Sequence, residues 1–272
     1  MKKFTKLISL LCLAAVFVLA SCSSPSSGTG GGRAQVSGKI GKYGAPYVVG
    51  DIVFNDGSAT PYTEIAARTT DPKITDAEKT AAIAVIFYVG TGLNSDDVNG
   101  TPDNTTSRTL GVGLEHDTNG RAWCANNSVN GYSINITKIQ CTPISGDKNG
   151  SDNYEQMAAV TGINDTNDLN NYPAFQFGKE YGTTNSLSAP YNKGWYLPSV
   201  AELNAIYNVK SIVDAASHLC DGSQFDSSSY WSSSQYASSD NLAYSLNFDD
   251  GGWDYFYKNY DTYYVCAVRA FN

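Results

Sequence analysis

The alternation of apolar and polar positions is clearest near the C-terminus of the chain. Tyr244, Leu246 and Phe248 alternate with polar residues, which is the period of a strand with one buried face. A glycine-rich turn over residues 250–252 leads into a return strand that begins at Trp253. The pattern therefore predicts an antiparallel hairpin with one wet face and one buried face.

Helix-start signals and apolar runs occur upstream of this hairpin. Ser199 begins a helix through a capping box with Glu202, and Pro173 is the first residue of a helix that runs to about residue 181. Asp76 is the expected N-cap of a short helix at 77–82. The apolar runs predict strands at 50–54, 84–89, 110–114 and 263–271. The predicted fold class is α+β, with two helices before a terminal antiparallel sheet.

Residues 1–21 have the pattern of a signal peptide. Three lysines precede an apolar stretch at 7–19, which is shorter than the about 20 residues that a membrane-spanning helix needs. The stretch ends in Leu19-Ala20-Ser21-Cys22, which resembles a bacterial lipobox and implies cleavage before Cys22 and diacylation of that residue. The alternative is a soluble secreted protein in which this cysteine is accidental.

The rest of the chain is expected to form a tether and one domain. Residues 22–46 hold the lipidated cysteine and a flexible Ser/Gly-rich segment, and residues 47–272 are long enough for a single domain with one core. Ser23 after the lipidated cysteine is compatible with sorting to the outer membrane. We therefore expect lipid-anchored display at a bacterial cell surface.

The net charge of −8 and the isoelectric point near 4.7 argue against one class of partner. Recognition of phosphate needs clustered Lys and Arg, so no nucleic-acid partner is expected. The same charge argues against electrostatic binding to anionic lipid. Attachment to the membrane is therefore assigned to the lipid on Cys22.

The cysteines and histidines are candidates for disulfide bonds or a metal site. Export permits disulfides, and four late cysteines allow three pairings, of which Cys124–Cys141 and Cys220–Cys266 are favoured. No cysteine pair has zinc spacing, and the two histidines, His116 and His218, are isolated.

Two oxygen-rich loops, Asp147–Gly150 and Asp165–Asp168, carry the ligand types that calcium prefers. Neither loop has EF-hand spacing. Asx-rich turns without metal are favoured, and structural calcium is the alternative. No cofactor is expected.

Residues 230–271 are saturated with Tyr, Ser, Asn and Asp, and eight of the 19 tyrosines lie between Tyr230 and Tyr264. Tyr gives a large contact area at low entropic cost, and the short polar side chains adapt their hydrogen bonds. This mixture is typical of a surface that binds macromolecules. An ordinary polar hairpin with cross-strand aromatic pairs is the alternative. The predicted partner is an unknown protein or other macromolecular ligand.

Several motifs in the second half of the chain carry a family resemblance. They include Gly194-Trp195-Tyr196-Leu197-Pro198-Ser199, Tyr230-Trp231-Ser232-Ser233-Ser234 and the terminal Val268-Arg269-Ala270-Phe271. Together they resemble the C-type-lectin-like fold of the formylglycine-generating-enzyme branch, and within it the variable proteins of diversity-generating retroelements. The resemblance covers roughly residues 146–272.

The resemblance implies how residues 230–271 arise. In such proteins template adenines are copied unfaithfully, so an Asn codon can become many codons but never one for Trp, Lys, Gln, Glu or Met. From Ser238 to Tyr263, Trp253 and Lys258 alone fall outside that set. The family pattern has a fixed apolar residue and a fixed Lys at about these two places.

The resemblance and the alternation together divide the variable region, about residues 230–271, into two sets. The scaffold side is assigned to Tyr244, Leu246, Phe248, Trp253 and Arg269. The predicted ligand-facing residues are Ser239, Asp240, Asn241, Ser245, Asn247, Asp249, Asp250, Gly252, Asp254, Phe256, Tyr257, Asn259, Tyr260 and Asp261. Tyr257 breaks the alternation. Cys266 is found where similar proteins often have Arg, so it is also a candidate diversified position.

The expected function is ligand binding by a surface-displayed lipoprotein. A non-diversified adhesin or structural lipoprotein of the same fold is the alternative. An enzyme is not expected, because the enzyme branch of the fold uses two neighbouring cysteines, whereas Cys220 and Cys266 are far apart in sequence. The chain also lacks the G-x-S-x-G motif of hydrolases.

Overall fold

The strands form two sheets in the part of the chain that the computed structural model describes, which is residues 33–94, 105–126, 131–142, 145–161 and 169–272. The strands are β1 (Asp51–Phe54), β2 (Ala59–Pro61), β3 (Ala82–Gly90), β4 (Arg108–Gly113), β5 (Gln140–Cys141), β6 (Trp195–Tyr196), β7 (Ser229–Tyr236), β8 (Leu242–Asn247), β9 (Trp253–Tyr257) and β10 (Val268–Ala270). The helices are α1 (Tyr62–Ala66), α2 (Asp76–Ala81), α3 (Asn153–Thr161), α4 (Pro173–Thr184), α5 (Val200–Asn208) and α6 (Lys210–Leu219).

The order of strands in the first sheet is β2-β1-β3-β4-β10-β6, and in the second sheet it is β5-β7-β8-β9. The α+β class is therefore confirmed. The finer expectation of two helices before a terminal antiparallel sheet is wrong. The described residues form six α-helices, β5 pairs with β7 in parallel, and β10 lies in the first sheet, antiparallel to both β4 and β6. Arg269 pairs there with Gly111 on one side and Trp195 on the other. The C-terminus thus closes the sheet in which the described fold begins.

Two predicted helix starts are confirmed. The Ser199 hydroxyl accepts a hydrogen bond from the Glu202 amide, and the Glu202 carboxylate accepts one from the Ser199 amide, so the capping box at α5 is complete. Pro173 is the first residue of α4, where its missing N–H leaves no bond unmade. The helix runs on to Thr184, beyond the expected end.

The cap of α2 is one residue earlier than expected. Thr75, not Asp76, is the N-cap, because its hydroxyl accepts from the Glu78 amide and the Glu78 carboxylate accepts from the Thr75 amide. Asp76 is the first helical residue, where its negative charge favours the positive end of the helix dipole.

The largest apolar cluster joins the first sheet to α5, α6 and the base of the hairpin. Phe248, just after β8, stacks on Phe225 with ring centroids 4.1 Å apart and an angle of 14° between the planes. Tyr230 of β7 packs on the same two rings. Burial of each such side chain stabilises the fold by about 1.5–3 kcal/mol, so the hairpin is anchored in the main core.

All four described cysteines are buried and none is joined in a disulfide, so both favoured disulfides are wrong. Cys124 and Cys141 lie in different apolar clusters, and Cys220 and Cys266 enter the main core as small apolar groups without a bond. Burial raises the pKa of Cys124 to about 11 and that of Cys220 to about 12, which keeps both thiols protonated at neutral pH. Cys266 is also not a solvent-facing diversified position.

The compact unit begins at Gln35, within the segment assigned to the tether. The Gly41 amide donates to the Ser58 hydroxyl at 2.7 Å, and Tyr43 forms a β-bridge with Ala59. The signal peptide, Cys22 and residues 23–32 lie outside the described residues. Within the described residues, none of the helices has the length and apolar content that crossing a membrane requires.

A buried polar network ties α5 to the first sheet and to the loop before α3. The Arg108 guanidinium of β4 donates to the Glu202 carboxylate at 3.2 Å and to the Tyr196 hydroxyl at 2.8 Å. The Tyr196 hydroxyl donates in turn to Glu202 at 2.9 Å. Glu202 also accepts from the Ser199 and Gly150 amides, so its charge is well satisfied.

We predict that Glu202→Ala lowers the free energy of unfolding by about 3–5 kcal/mol in urea titrations, because it leaves the Arg108 charge buried and unpaired. Adding Arg108→Met to that variant should recover part of the loss. Lys79→Ala is the matched control, since Lys79 pairs with the exposed Asp221 and its loss should have little effect. A loss at Glu202 no larger than at Lys79 would contradict the role of the network.

Candidate functional site

The exposed edge strand β9 is the centre of the candidate binding surface. It pairs with β8 in the register Leu246 with Trp253 and Tyr244 with Tyr255, and every residue of β9 is exposed. The neighbouring β8 is the opposite, because Ala243 to Leu246 are all buried. The hairpin thus separates a buried strand from a solvent-facing strand, rather than one face from the other.

The first face of β9, the Trp253 face, consists of Trp253 and Tyr255 with Tyr236 and Tyr244 of the neighbouring strands. Tyr255 stacks on Tyr236 with centroids 3.8 Å apart and nearly parallel planes. Trp253 packs against Tyr244 at 5.7 Å but remains 45 % exposed. The assignment of Trp253 to the buried scaffold side is therefore wrong, because β9 lies at the surface with all five of its residues exposed.

The second face, the Phe256 face, consists of Phe256, Tyr260, Tyr263 and Asp254. The Phe256 and Tyr260 centroids are 4.6 Å apart, and those of Tyr260 and Tyr263 are 4.9 Å apart. Tyr263 rests on the buried Trp231 at 4.8 Å. Burial raises the pKa of Tyr263, and the nearby Asp254 carboxylate adds to the effect. These rings form a continuous aromatic surface from the core to solvent.

The turn before β9 is held by short polar side chains. The Asn247 side chain accepts from the Asp249 amide, and the Asp250 side chain accepts from the Gly252 amide, both at 2.8 Å. Gly251 has φ of 74°, and an added Cβ would meet the Tyr207 ring at 2.3 Å. Glycine is therefore required at position 251.

Lys258 anchors the loop that follows β9. Its side chain is fully buried, with the ammonium 4.5 Å from the Trp123 ring centroid and donating to the Gly131 carbonyl at 2.7 Å. Its backbone bonds to Asn241 and Cys124. Burial lowers the pKa of Lys258 to about 7. A lysine in this position fixes the loop but presents no charge to a ligand.

The structure exposes most of the predicted ligand-facing residues on or beside β9. The exposed ones are Asp240, Asp249, Asp250, Gly252, Asp254, Phe256, Tyr257, Asn259, Tyr260 and Asp261. Ser239, Asn241 and Asn247 are half-buried. Their binding role stays a prediction.

The prediction that Ser245 faces the ligand is wrong, because this residue is only 1 % exposed. It pairs with Trp231 of β7 and lies close to Tyr263, so it is covered on the face where the alternation predicted solvent. Tyr244, Leu246 and Phe248 are buried as expected. Arg269 is half-buried, and its guanidinium donates to the Lys193 carbonyl and lies over the Phe271 ring.

Three aromatic residues of the surface were missed in the sequence, namely Tyr236, Tyr255 and Tyr263. Tyr255 could have been found from the hairpin register, because it lies directly opposite Tyr244 and shares its face of the hairpin. Tyr236 and Tyr263 gave no signal, because their places depend on pairing between distant segments.

The first of the two calcium candidates is part of the hydrogen-bonded framework. Asp147 is buried, and its carboxylate accepts from the Asn153 amide group at 2.7 Å and from the Ser234 hydroxyl at 2.6 Å. Among the described residues, no group of three or more His, Cys, Asp and Glu could hold a metal ion. The second loop, Asp165–Asp168, lies outside the described residues.

We predict that Lys258 makes the stability of the fold depend on pH. Its pKa falls from 10.5 to about 7 on folding, so between these values the unfolded chain binds more protons and the free energy of unfolding rises with pH. Relative to Lys258→Met, the wild type should gain up to about 1.4 kcal/mol per pH unit in urea titrations between pH 7 and 9. Parallel profiles of the two chains would contradict the low pKa.

Comparison with known proteins finds a solved structure with a similar fold. No curated protein matches this chain. A crystal structure of a fimbrial protein from Bacteroides ovatus ATCC 8483 aligns with a TM-score of 0.54 and 18 % identity. The alignment covers 82 % of this chain and 49 % of that chain, so this chain spans about half the length of that structure. At this identity the likeness concerns the fold alone.

A family model gives the stronger relation. Residues 114–269 match the model of the Lcl C-terminal domain, which is more than half of the chain and includes the whole hairpin and its supporting helices. The match supports the resemblance to retroelement-diversified variable proteins. The chain therefore belongs to the Lcl C-terminal domain family.

Proposed function

We propose that this chain is a surface-displayed lipoprotein that binds a macromolecular ligand through a retroelement-diversified C-terminal surface. The observation that carries the proposal is the exposed strand β9, whose aromatic and acidic side chains face solvent on a buried framework. The family match supports a ligand-binding surface protein. The function is recognition, and no catalytic step is proposed.

The framework explains how such a surface can be both rigid and variable. Phe248 holds the base of the hairpin in the core, Tyr244 donates from its hydroxyl to the Thr142 carbonyl, and Lys258 fixes the loop beyond β9. The exposed Phe256 and Tyr260 are then preorganised anchors, and preorganisation lowers the entropic cost of binding. Polar neighbours would adjust specificity.

The proposal extends to the fold subtype and the location. The motifs that resemble the C-type-lectin-like fold of the formylglycine-generating-enzyme branch lie within the part matched by the family model, except for the last two residues of the terminal motif, Ala270 and Phe271. With the lipobox at Cys22, the sequence resembles the Treponema variable protein, a surface lipoprotein. We therefore propose anchoring at the outer membrane through lipid on Cys22, with an unknown protein or other macromolecule as the partner.

The alternative function is that of a non-diversified adhesin or structural lipoprotein. Nearby genomic DNA should distinguish the two. We predict a near-copy of the segment that encodes residues 230–271 beside a reverse transcriptase gene, differing from the coding segment only at template adenines. Sequencing that finds neither element would favour the non-diversified alternative.

We predict that Tyr257→Ala with Tyr260→Ala abolishes binding to a ligand selected against the wild-type surface. The free energy of unfolding should change by no more than about 1 kcal/mol, because Tyr257 is 51 % exposed and Tyr260 is 37 % exposed, and neither belongs to the core. Binding is measured by calorimetry and stability by thermal unfolding. Tyr47→Ala, an exposed tyrosine near β1, is the matched control. Loss of stability without loss of binding would show that these residues belong to the framework.

A further inference from the structure

We propose that the partner that binds the Phe256 face is a cationic polypeptide. Its arginine and lysine side chains would contact the aromatic rings and carboxylates of that face. The inference rests on the proposed function and names the chemistry of the partner.

The charge of the surface is the first support. From residue 211 to residue 268 the chain has a single Lys or Arg, Lys258, and its side chain is buried. The acidic residues of the hairpin and its loops are exposed: Asp240, Asp249, Asp250, Asp254 and Asp261. The formal charge that this segment presents to solvent is therefore negative throughout.

Two cations on adjoining elements already have acidic partners. Arg121 is tied to the Phe256 face through its backbone bond to Tyr263, but its side chain pairs with Asp117 at 2.6 Å and lies over the Phe177 ring. Lys210 pairs with Asp214 at 2.5 Å. Arg121 and Lys210 thus already pair with carboxylates of their own.

The geometry of the rings is the second support. Phe256, Tyr260 and Tyr263 lie within 6.0 Å of one another at steep interplanar angles, so ring faces as well as edges are presented around one spot. A ring face carries partial negative charge and attracts a guanidinium or an ammonium group. Asp254 adjoins Tyr263, so a carboxylate stands ready to pair with the same cation.

This combination disfavours other occupants. Anionic polysaccharide, nucleic acid and anionic lipid would each place negative charge against exposed carboxylates. A neutral sugar can stack on the rings but leaves the carboxylates without a counter-charge. Arginine satisfies both features at once, because its planar cation stacks on aromatic faces and bonds to carboxylates through a rigid fork.

The first test uses a defined probe and the mature full-length chain in uncharged detergent. A twelve-residue peptide of four Arg-Gly-Ser repeats should bind at least ten times more tightly than the same peptide with citrulline in place of arginine. The affinity should fall as salt is raised, since exposed charges are screened. A glutamate peptide and a neutral oligosaccharide should show weaker binding than the arginine peptide.

Two variants locate the binding. The double variant Phe256→Ala with Tyr260→Ala should bind the arginine peptide with about tenfold lower affinity. Asp254→Asn should weaken it and reduce its salt dependence, while retaining the oxygen that accepts from the Tyr255 amide, so the strand remains formed. Tyr47→Ala should bind as the wild type does. Equal binding of the citrulline peptide, or unchanged binding by both variants, would overturn the inference.

Selection from an unbiased library of random peptides separates this inference from the proposed function. Selected peptides that are enriched in Arg and Lys, and that no longer bind the double variant Phe256→Ala with Tyr260→Ala, would support both the cationic partner and the proposed function. Neutral or acidic peptides lost with the same variant would overturn the cationic partner and leave the proposed function standing. If the library yields only peptides that bind the variant equally, or none at all, both proposals fail.

Discussion

The burial of β8 on both faces is the constraint on which the rest of the structure depends. Leu246 enters the main core, Ala243 enters the cluster that contains Trp231, and Tyr244 packs with Val200 of α5. A strand held from both sides cannot shift its register without exposing one set of side chains. Its partner β9 therefore has a fixed position, although none of the residues of β9 is buried.

Local signals were sufficient for the elements that depend on neighbouring residues. The capping box of Ser199 and Glu202 and the position of Pro173 were predicted, because each is a contact within one helical turn. The hairpin was also predicted, because its turn residues and apolar alternation adjoin in sequence. The one-residue error at Thr75 arose because Thr and Asp both make good N-caps.

Features that depend on distant segments were not predictable. Ser245 was assigned to solvent because the alternation describes one strand, whereas its burial is decided by Trp231 and Tyr263. The disulfides failed because spacing between cysteines does not show which clusters they enter. The return of β10 to the first sheet has no local signal, and the burial of Lys258 requires Trp123 and Gly131.

These contrasts explain why a variable surface fits this part of the fold. Residues that fix the hairpin bond to the framework through the backbone or through buried side chains, as Phe248 and Lys258 do. Residues that face solvent contribute ring contacts and charge but few bonds to the core. Exchange of the second set can then alter recognition while the first set preserves the fold.

The central claim is that the framework holds the hairpin in place whatever the exposed residues are. Native-state hydrogen exchange tests it directly, in a chain with serine at Asp254, Phe256, Tyr257, Asn259, Tyr260 and Asp261. The Asn247 amide donates to the Gly252 carbonyl and the Lys258 amide to the Asn241 carbonyl, one bond at each end of the β8–β9 pair. We expect both amides to retain their protection from exchange. Loss of that protection, with the rest of the second sheet intact, would show that the exposed side chains hold the strand and would contradict the account.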